Sequence, residues 1–244
     1  MAGNWKMYKT PAETTAFFEK FLPLVANAAG REIVINAPFV DLPAAVSAAT
    51  GSNVGIGGQN LFWEKEGAYT GEISGPMLKV VGCGYVVIGH SERRQYFGET
   101  DATVLKRTVA AIDAGLIPIV CVGESLDERE SGRTHEVLKS QFVGGIAGLN
   151  SEQFAKIVIA YEPVWAIGTG KTATPEIAGD AHKSIRSLVA HEFGAGAAAA
   201  VRILYGGSVK PNNVKELMAV EDIDGGLVGG ASLDAESFAA IVNF

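Results

Sequence analysis

The chain is poor in several residue types and patterns, and each shortage excludes something. It holds 2 cysteines, Cys83 and Cys121, in 244 residues. That is too few for a disulfide framework, so a reducing compartment is the expectation. Neither cysteine has a partner at zinc-ligand spacing and the 4 histidines are scattered, so no metal is expected. No uninterrupted apolar run reaches the ~18 residues of a membrane span. The opening Met1-Ala2-Gly3-Asn4-Trp5-Lys6 has no apolar stretch of the kind a signal peptide carries. A cytoplasmic protein with no membrane partner is therefore expected. Basic residues are the minority, 20 Lys and Arg against 27 Asp and Glu, whereas a general nucleic-acid binder needs a basic face. No Pro- or Ser-rich linker divides the chain, so one domain over 1–244 is expected.

What is present is apolar and glycine-rich. Hydrophobic residues make up 48%, which excludes disorder, and the 30 glycines have no collagen-like period. The surplus glycine belongs in turns or where backbone approaches something closely. Short Val- and Ile-rich runs recur at 31–36, 53–58, 85–88, 117–122, 157–161, 202–205 and 226–228, with 1–6 as a further, clipped strand. Most are apolar on consecutive residues, which suits parallel strands buried on both faces.

Helical patterns separate the runs. Thr10-Pro11-Ala12-Glu13 reads as a capping box with Pro at the first helical position, and Phe17, Phe21, Leu24 and Val25 follow at helical spacing. Asp101 opens a second helix with Leu105, Val109 and Ile112 on one face, and Thr174-Pro175-Glu176 opens a third. Shorter helices are expected at 42–50, 76–81, 133–146, 212–218 and 235–242. Strand and helix thus alternate about eight times, which calls for a parallel sheet with helices outside. A closed (β/α)8 barrel and an open doubly wound sheet both satisfy this. Eight units in roughly 250 residues fit the barrel. An open sheet would more often carry a glycine-rich turn where Asn4-Trp5-Lys6 stands.

Several runs end in residues that an apolar core would not select. Asn4 and Lys6 end the first, His90 follows 85–88, and Glu162 follows 157–161. Gly206-Gly207-Ser208 follows 202–205, and Gly229-Gly230 follows 226–228. In a (β/α)8 barrel all these ends lie on one face, where loops build the active site and those after the last two strands often bind phosphate. One glycine pair alone would be an ordinary turn, but two in those loops point to an anion. Two other glycine patterns fail as nucleotide sites. Gly168-Thr169-Gly170-Lys171-Thr172 resembles the end of a Walker loop, but Trp165 stands where glycine is required. Gly55-Ile56-Gly57 lacks its third glycine, since Asn60 stands there.

Five segments together resemble the triosephosphate isomerase family: Asn4-Trp5-Lys6, 88–94 (Ile-Gly-His-Ser-Glu-Arg-Arg), 160–170 around Glu162, Tyr205-Gly206-Gly207-Ser208, and 227–231. The resemblance runs nearly end to end and in order. It implies a (β/α)8 barrel that interconverts dihydroxyacetone phosphate and glyceraldehyde 3-phosphate with neither cofactor nor metal. It further implies Glu162 as base, His90 as electrophile, Lys6 as the positive charge and Asn4 as a substrate hydrogen-bonder. Glu92 would orient Lys6 or assist proton transfer. Gly168, Ser208, Gly229 and Gly230 would hold the substrate phosphate. Pro163, Val164, Trp165, Ala166, Ile167, Gly168, Thr169, Gly170, Lys171, Thr172 and Ala173 would form a lid. The loop carrying Thr70, Gly71 and Glu72 would reach a second copy, giving a homodimer. The family also has more residues before Gly3, so the first strand is expected to be short. Taken alone, a lone Glu is more often a salt-bridge residue and a lone His a core residue. Two other readings of the same residues are a different phosphosugar enzyme on this barrel, either an epimerase or an aldolase with Lys6 as Schiff base, and a non-catalytic phosphosugar-binding scaffold.

Overall fold

The structure, a computed structural model, describes residues 1–167 and 172–244. Its strands are β1 (Ala2–Asn4), β2 (Ile33–Asn36), β3 (Val54–Gly58), β4 (Tyr85–Ile88), β5 (Ile117–Val122), β6 (Val158–Tyr161), β7 (Ile203–Tyr205) and β8 (Gly225–Val228). Each pairs in parallel with the next, and β8 returns to β1, with Ala2 opposite Leu227 and Gly3 opposite Val228. This is the closed (β/α)8 barrel, and the open sheet is excluded.

The helices cover the outside. After β1 comes α1 (Pro11–Val25), after β2 α2 (Leu42–Ala49), and after β3 α3 (Gly75–Val81). Two follow β4, α4 (Ser91–Phe97) and α5 (Asp101–Asp113), and three follow β5, α6 (Leu126–Glu130), α7 (Thr134–Gly145) and α8 (Ser151–Phe154). Then come α9 (Pro175–Phe193) and α10 (Ala195–Ala200) after β6, α11 (Val214–Met218) after β7, and α12 (Ala235–Val242) after β8.

The consecutive apolar runs serve two cores. Alternate residues, among them Ala2, Val34, Val87, Ile119, Cys121, Val158, Ala160, Leu204 and Leu227, fill the barrel interior. Their neighbours, such as Ile35, Ile88, Val120, Ile159 and Tyr161, pack outward against the helices. Side chains two apart share a face, so the next inward place above Ala2 is Asn4, above Ala160 Glu162, and above Leu204 and Leu227 the glycines Gly206 and Gly229. Strand parity therefore puts polar groups and bare backbone at one mouth of the barrel.

Two expected helix faces are corrected. On α1 the capping box forms, but Leu24 is 45% exposed while Phe18 is fully buried. Trp5, Phe17, Phe18 and Phe21 form the aromatic cluster under this helix, with Trp5 meeting Phe17 edge-on at 4.9 Å. On α5 the buried residues are Val104, Arg107, Thr108, Ala111 and Ile112, while Leu105 and Val109 are half-buried. The helix turns Arg107 inward because its Nε donates to the Leu61 carbonyl at 3.0 Å and Glu99 lies beside it. Gly55 and Gly57 lie inside β3, not in a loop.

The inner face of α9 buries His182, whose Nδ1 lies 3.1 Å from the Asp222 carbonyl oxygen. Burial pushes its pKa down from 6.5 to about 4, with Arg186 adding to the effect. Between these two values the unfolded chain takes up a proton that the folded chain refuses, so stability falls as pH drops through that window. The loss below pH 4 is roughly 3 kcal/mol from this group. Urea unfolding at stepped pH is expected to show this limb in the parent chain and a flatter one in His182→Gln.

Candidate active site

The mouth of the barrel at the strands' C-terminal ends holds a cavity of about 350 Å³. Asn4, Lys6, His90, Glu162, Ser208, Gly229 and Gly230 all line it, so residues up to 226 positions apart in sequence meet. Ala166 and Ile167 form its rim on the side of the expected lid. A cavity of about 450 Å³ at the opposite mouth has its charges already engaged: Arg202 pairs with Glu32, and Arg31 donates to the Val242 and Phe244 carbonyls.

Glu162 follows β6 directly and is 2% exposed. Its Oε1 is 2.8 Å from His90 Nε2, and its Oε2 accepts from the Ser91 N–H at 2.9 Å. Burial alone would raise its pKa, but the imidazole and the hydrogen bonds from His90 and Ser91 outweigh that and hold it below the ordinary carboxylate range. The same contact acts in reverse on His90. Burial disfavours its cation, but the Glu162 carboxylate prevails and raises its pKa in this resting arrangement. His90 Nδ1 accepts from the Glu92 N–H at the start of α4, at 3.3 Å. An Nδ1 that accepts leaves Nε2 as the protonated nitrogen, so the ring presents an N–H to the pocket.

Lys6 takes a left-handed backbone, φ 52°, which is unusual for a residue with a side chain. Three contacts hold it there. Its N–H donates to Asn4 Oδ1 at 3.0 Å, its carbonyl accepts from Gln59 Nε2 at 2.8 Å, and its Nζ meets Glu92 Oε1 at 2.5 Å. Trp5, between Asn4 and Lys6, is fully buried and donates its indole N–H to the Ser232 carbonyl. That anchor turns its two neighbours toward the cavity. Asn4 thus supports the turn through its oxygen, and donation to a substrate would use its amide NH2. A Cβ on Gly229 would stand 3.4 Å from Lys6 Cε, while one on Gly230 would meet nothing within 4 Å. The second glycine pair therefore flanks the lysine and stays open to the cavity.

Of the expected lid, residues 163–167 and 172–173 are described, whereas Gly168, Thr169, Gly170 and Lys171 lie outside the described residues. Val164–Ala166 forms a turn of 3-10 helix. Beneath it sits Glu124, fully buried, whose Oε1 accepts from Tyr161 OH, Trp165 Nε1 and Arg129 at 3.1, 2.9 and 3.2 Å. Sequence reading missed Glu124, Gln59 and Ser91. The one available signal for Glu124 is its place just beyond β5, where an ionisable group ends an apolar run. Cys121 is fully buried inside the barrel, and its thiol pKa is raised by that burial and by the neighbouring Glu162 carboxylate. Thr70, Gly71 and Glu72 are exposed and do not line this chain's own cavity.

Comparison with known proteins gives one consistent result. The family model described as triosephosphate isomerase matches residues 1–244. A triosephosphate isomerase of Solibacter usitatus is 68% identical, covering 100% of this chain and 98% of its own length. One from Moorella thermoacetica is 58% identical, with 100% and 97% covered. A crystal structure of triosephosphate isomerase from Bartonella henselae superposes with a TM-score of 0.90 at 39% identity, covering 100% of this chain and 97% of that one.

Proposed function

Because the chain belongs to the triosephosphate isomerase family over its whole length, and so interconverts dihydroxyacetone phosphate and D-glyceraldehyde 3-phosphate as in glycolysis and gluconeogenesis, we propose that Glu162 moves the carbon-bound proton and His90 serves the two oxygens. The observation that carries this reading is the 2.8 Å contact between His90 Nε2 and Glu162 Oε1. In the resting pocket the base and the electrophile occupy each other. A substrate entering between them takes over both: its oxygens replace Glu162 at the Nε2–H, and the freed carboxylate turns to the C1–H bond of dihydroxyacetone phosphate.

Glu162 takes that proton, the C–H electrons form the C1–C2 double bond, and the carbonyl π electrons move onto O2. The proton on O1 passes to O2 by way of His90. Glu162 then returns its proton to C2, leaving an aldehyde at C1. With the carboxylate turned away, burial and the Lys6 cation favour the neutral ring of His90, against the Glu92 carboxylate, which favours its cation. A neutral N–H can both donate to and recover a proton from the oxygens.

Lys6 faces the developing oxyanion and the phosphate, and Glu92 holds it there. The phosphate rests on Ser208, Gly229 and Gly230, which line the cavity; Gly168, outside the described residues, is assigned to it by the family resemblance alone. Segment 163–173 closes over the substrate and excludes water, which strengthens the base. Isomerisation in deuterated water tests proton transfer directly. Deuterium at C2 of the aldehyde is expected in the share of product whose proton exchanges while Glu162 holds it, whereas a complete absence of deuterium from product and recovered substrate would count against transfer through the carboxylate.

The protein acts as a homodimer in the cytoplasm. Support comes from exposed apolar side chains on the loops and helices after β1, β3 and β4: Met7, Tyr8, Tyr69, Met77, Val80, Tyr96 and Phe97. Thr70, Gly71 and Glu72 stand among them on the exposed loop after β3. Both cysteines are free and buried, in keeping with a reducing compartment. Sedimentation equilibrium is expected to return the mass of two chains, and a single-chain mass at micromolar concentration would contradict the dimer.

A further inference from the structure

Glu162 reaches the cavity from a backbone squeezed between two glycines. On one side Gly206, just after β7, donates its N–H to the Tyr161 carbonyl at 2.7 Å, and a Cβ there would stand 2.9 Å from Glu162 Cγ. On the other side is Gly123, just after β5. A Cβ at Gly123 would stand 1.7 Å from the Glu162 carbonyl oxygen and 2.6 Å from its carbonyl carbon, so no side chain fits there. Glu162 in turn donates its N–H to the Val122 carbonyl at 2.8 Å. The main chain that carries the carboxylate thus lies directly against the Val122–Gly123 peptide.

Gly123 lies one residue beyond the last β5–β6 ladder pair, Val122 with Tyr161. What grips it is the side-chain amide of Gln141. Gly123 N–H donates to Gln141 Oε1 at 2.8 Å, and Gln141 Nε2 donates to the Gly123 carbonyl at 3.0 Å. One planar group fixes both polar atoms of the residue. Gln141 is carried by α7, whose Leu138 and Phe142 are sunk in the core, so the clasp stands on a rigid element. Behind it lies a hollow of about 430 Å³, lined by Gly123, Gln141 and Glu162 among others. Without the clasp the Gly123 segment has room to move.

We infer that Gln141 is a positioning residue for the catalytic carboxylate: its two-point grip on Gly123 sets the backbone on which Glu162 stands, and so the placement of the carboxylate against the substrate carbon. This rests on Glu162 being the base. The effect belongs to kcat, because most groups assigned to the phosphate, Lys6, Ser208, Gly229 and Gly230, follow other strands, and a displacement of ~1 Å can cost ~10²-fold in rate.

The test compares Gln141→Met, which keeps length but loses both hydrogen bonds, with Gln141→Glu, which keeps the acceptor for Gly123 N–H and loses the donor. For Gln141→Met, kcat is expected to fall by about 10- to 10²-fold with KM within about twofold. The isotope effect on kcat with substrate deuterated at C1 should rise, because proton abstraction becomes slower. Gln141→Glu should show the same pattern with a smaller loss, and it decides the matter if the methionine variant does not fold. Glu162→Gln is run alongside. If it keeps full kcat, the base assignment fails and this inference fails with it. If it loses kcat while the folded Gln141 variants keep the parent kcat and isotope effect, only the role of Gln141 is overturned. A lowered Tm with unchanged kcat is that same overturning result.

Discussion

Glu162→Gln is expected to lower kcat by about 10²–10⁴-fold, the range that a positioned general base contributes. The amide has nearly the carboxylate's shape and can still accept from Ser91 N–H, so the fold and the pocket wall are kept. What it lacks is a basic oxygen to take the C1 proton. The change also removes the charge that raises the pKa of His90 in the resting state. Competitive inhibition by inorganic phosphate should stay near the parent value, because the groups assigned to the phosphate are Lys6, Ser208 and the glycine turns. Steady-state kinetics in a coupled assay, with phosphate as inhibitor, separates these two effects. Loss of phosphate affinity in step with kcat would mean a damaged pocket, not a missing base.

Lys6→Met should cost about 10²–10³-fold in kcat/KM, comparable with removing one donor from a preorganised oxyanion site. Two effects add. The cation facing the phosphate and the developing oxyanion is lost. The Glu92 carboxylate, 2.5 Å from Lys6 Nζ and 3.5 Å from His90 Nδ1, is left without its partner beside a dianionic substrate. The second effect makes the prediction specific: Glu92→Gln placed on top of Lys6→Met should recover part of the loss. Kinetics of the two single variants and the double variant complete the cycle, and strictly additive losses would show that the two side chains act independently.

The barrel was legible because its strands are buried on both faces. Val158 and Ala160 go inward and Ile159 and Tyr161 outward, so the run reads as apolar throughout. For the same reason the sequence does not tell one face from the other, and it is the closed sheet that turns Glu162 and Asn4 into the mouth. Short helices such as α6 and α8 escaped because they bury little or nothing and so leave no periodic apolar face. On α5 the apolar period misplaced the inner face, since an inward arginine with a carbonyl and a carboxylate to meet outranks two leucine- and valine-type positions.

The site followed the same division. His90, Glu162 and Lys6 stood out because each interrupts or ends an apolar run. Glu124 did not, because Asp127, Glu128 and Glu130 follow it and only the fold buries it beneath Trp165. Gln59 and Gln141 gave no signal, since an amide that holds a backbone carbonyl reads in sequence as any surface glutamine. Asn4 was read as a substrate hydrogen-bonder, and its oxygen is engaged in capping Lys6. The contacts of Glu124 with Trp165, Gln59 with Lys6 and Gln141 with Gly123 are tertiary by nature, 41, 53 and 18 residues apart.

The most direct test of the account is the kcat of Glu162→Asp, measured with dihydroxyacetone phosphate and D-glyceraldehyde 3-phosphate beside the parent enzyme. Aspartate keeps the charge and the basicity but withdraws the carboxylate by one methylene. Because the carboxylate must reach the substrate carbon, kcat should fall by about 10²-fold in both directions with KM little changed. An aspartate variant with the full kcat of the parent would contradict Glu162 as the base that moves the proton.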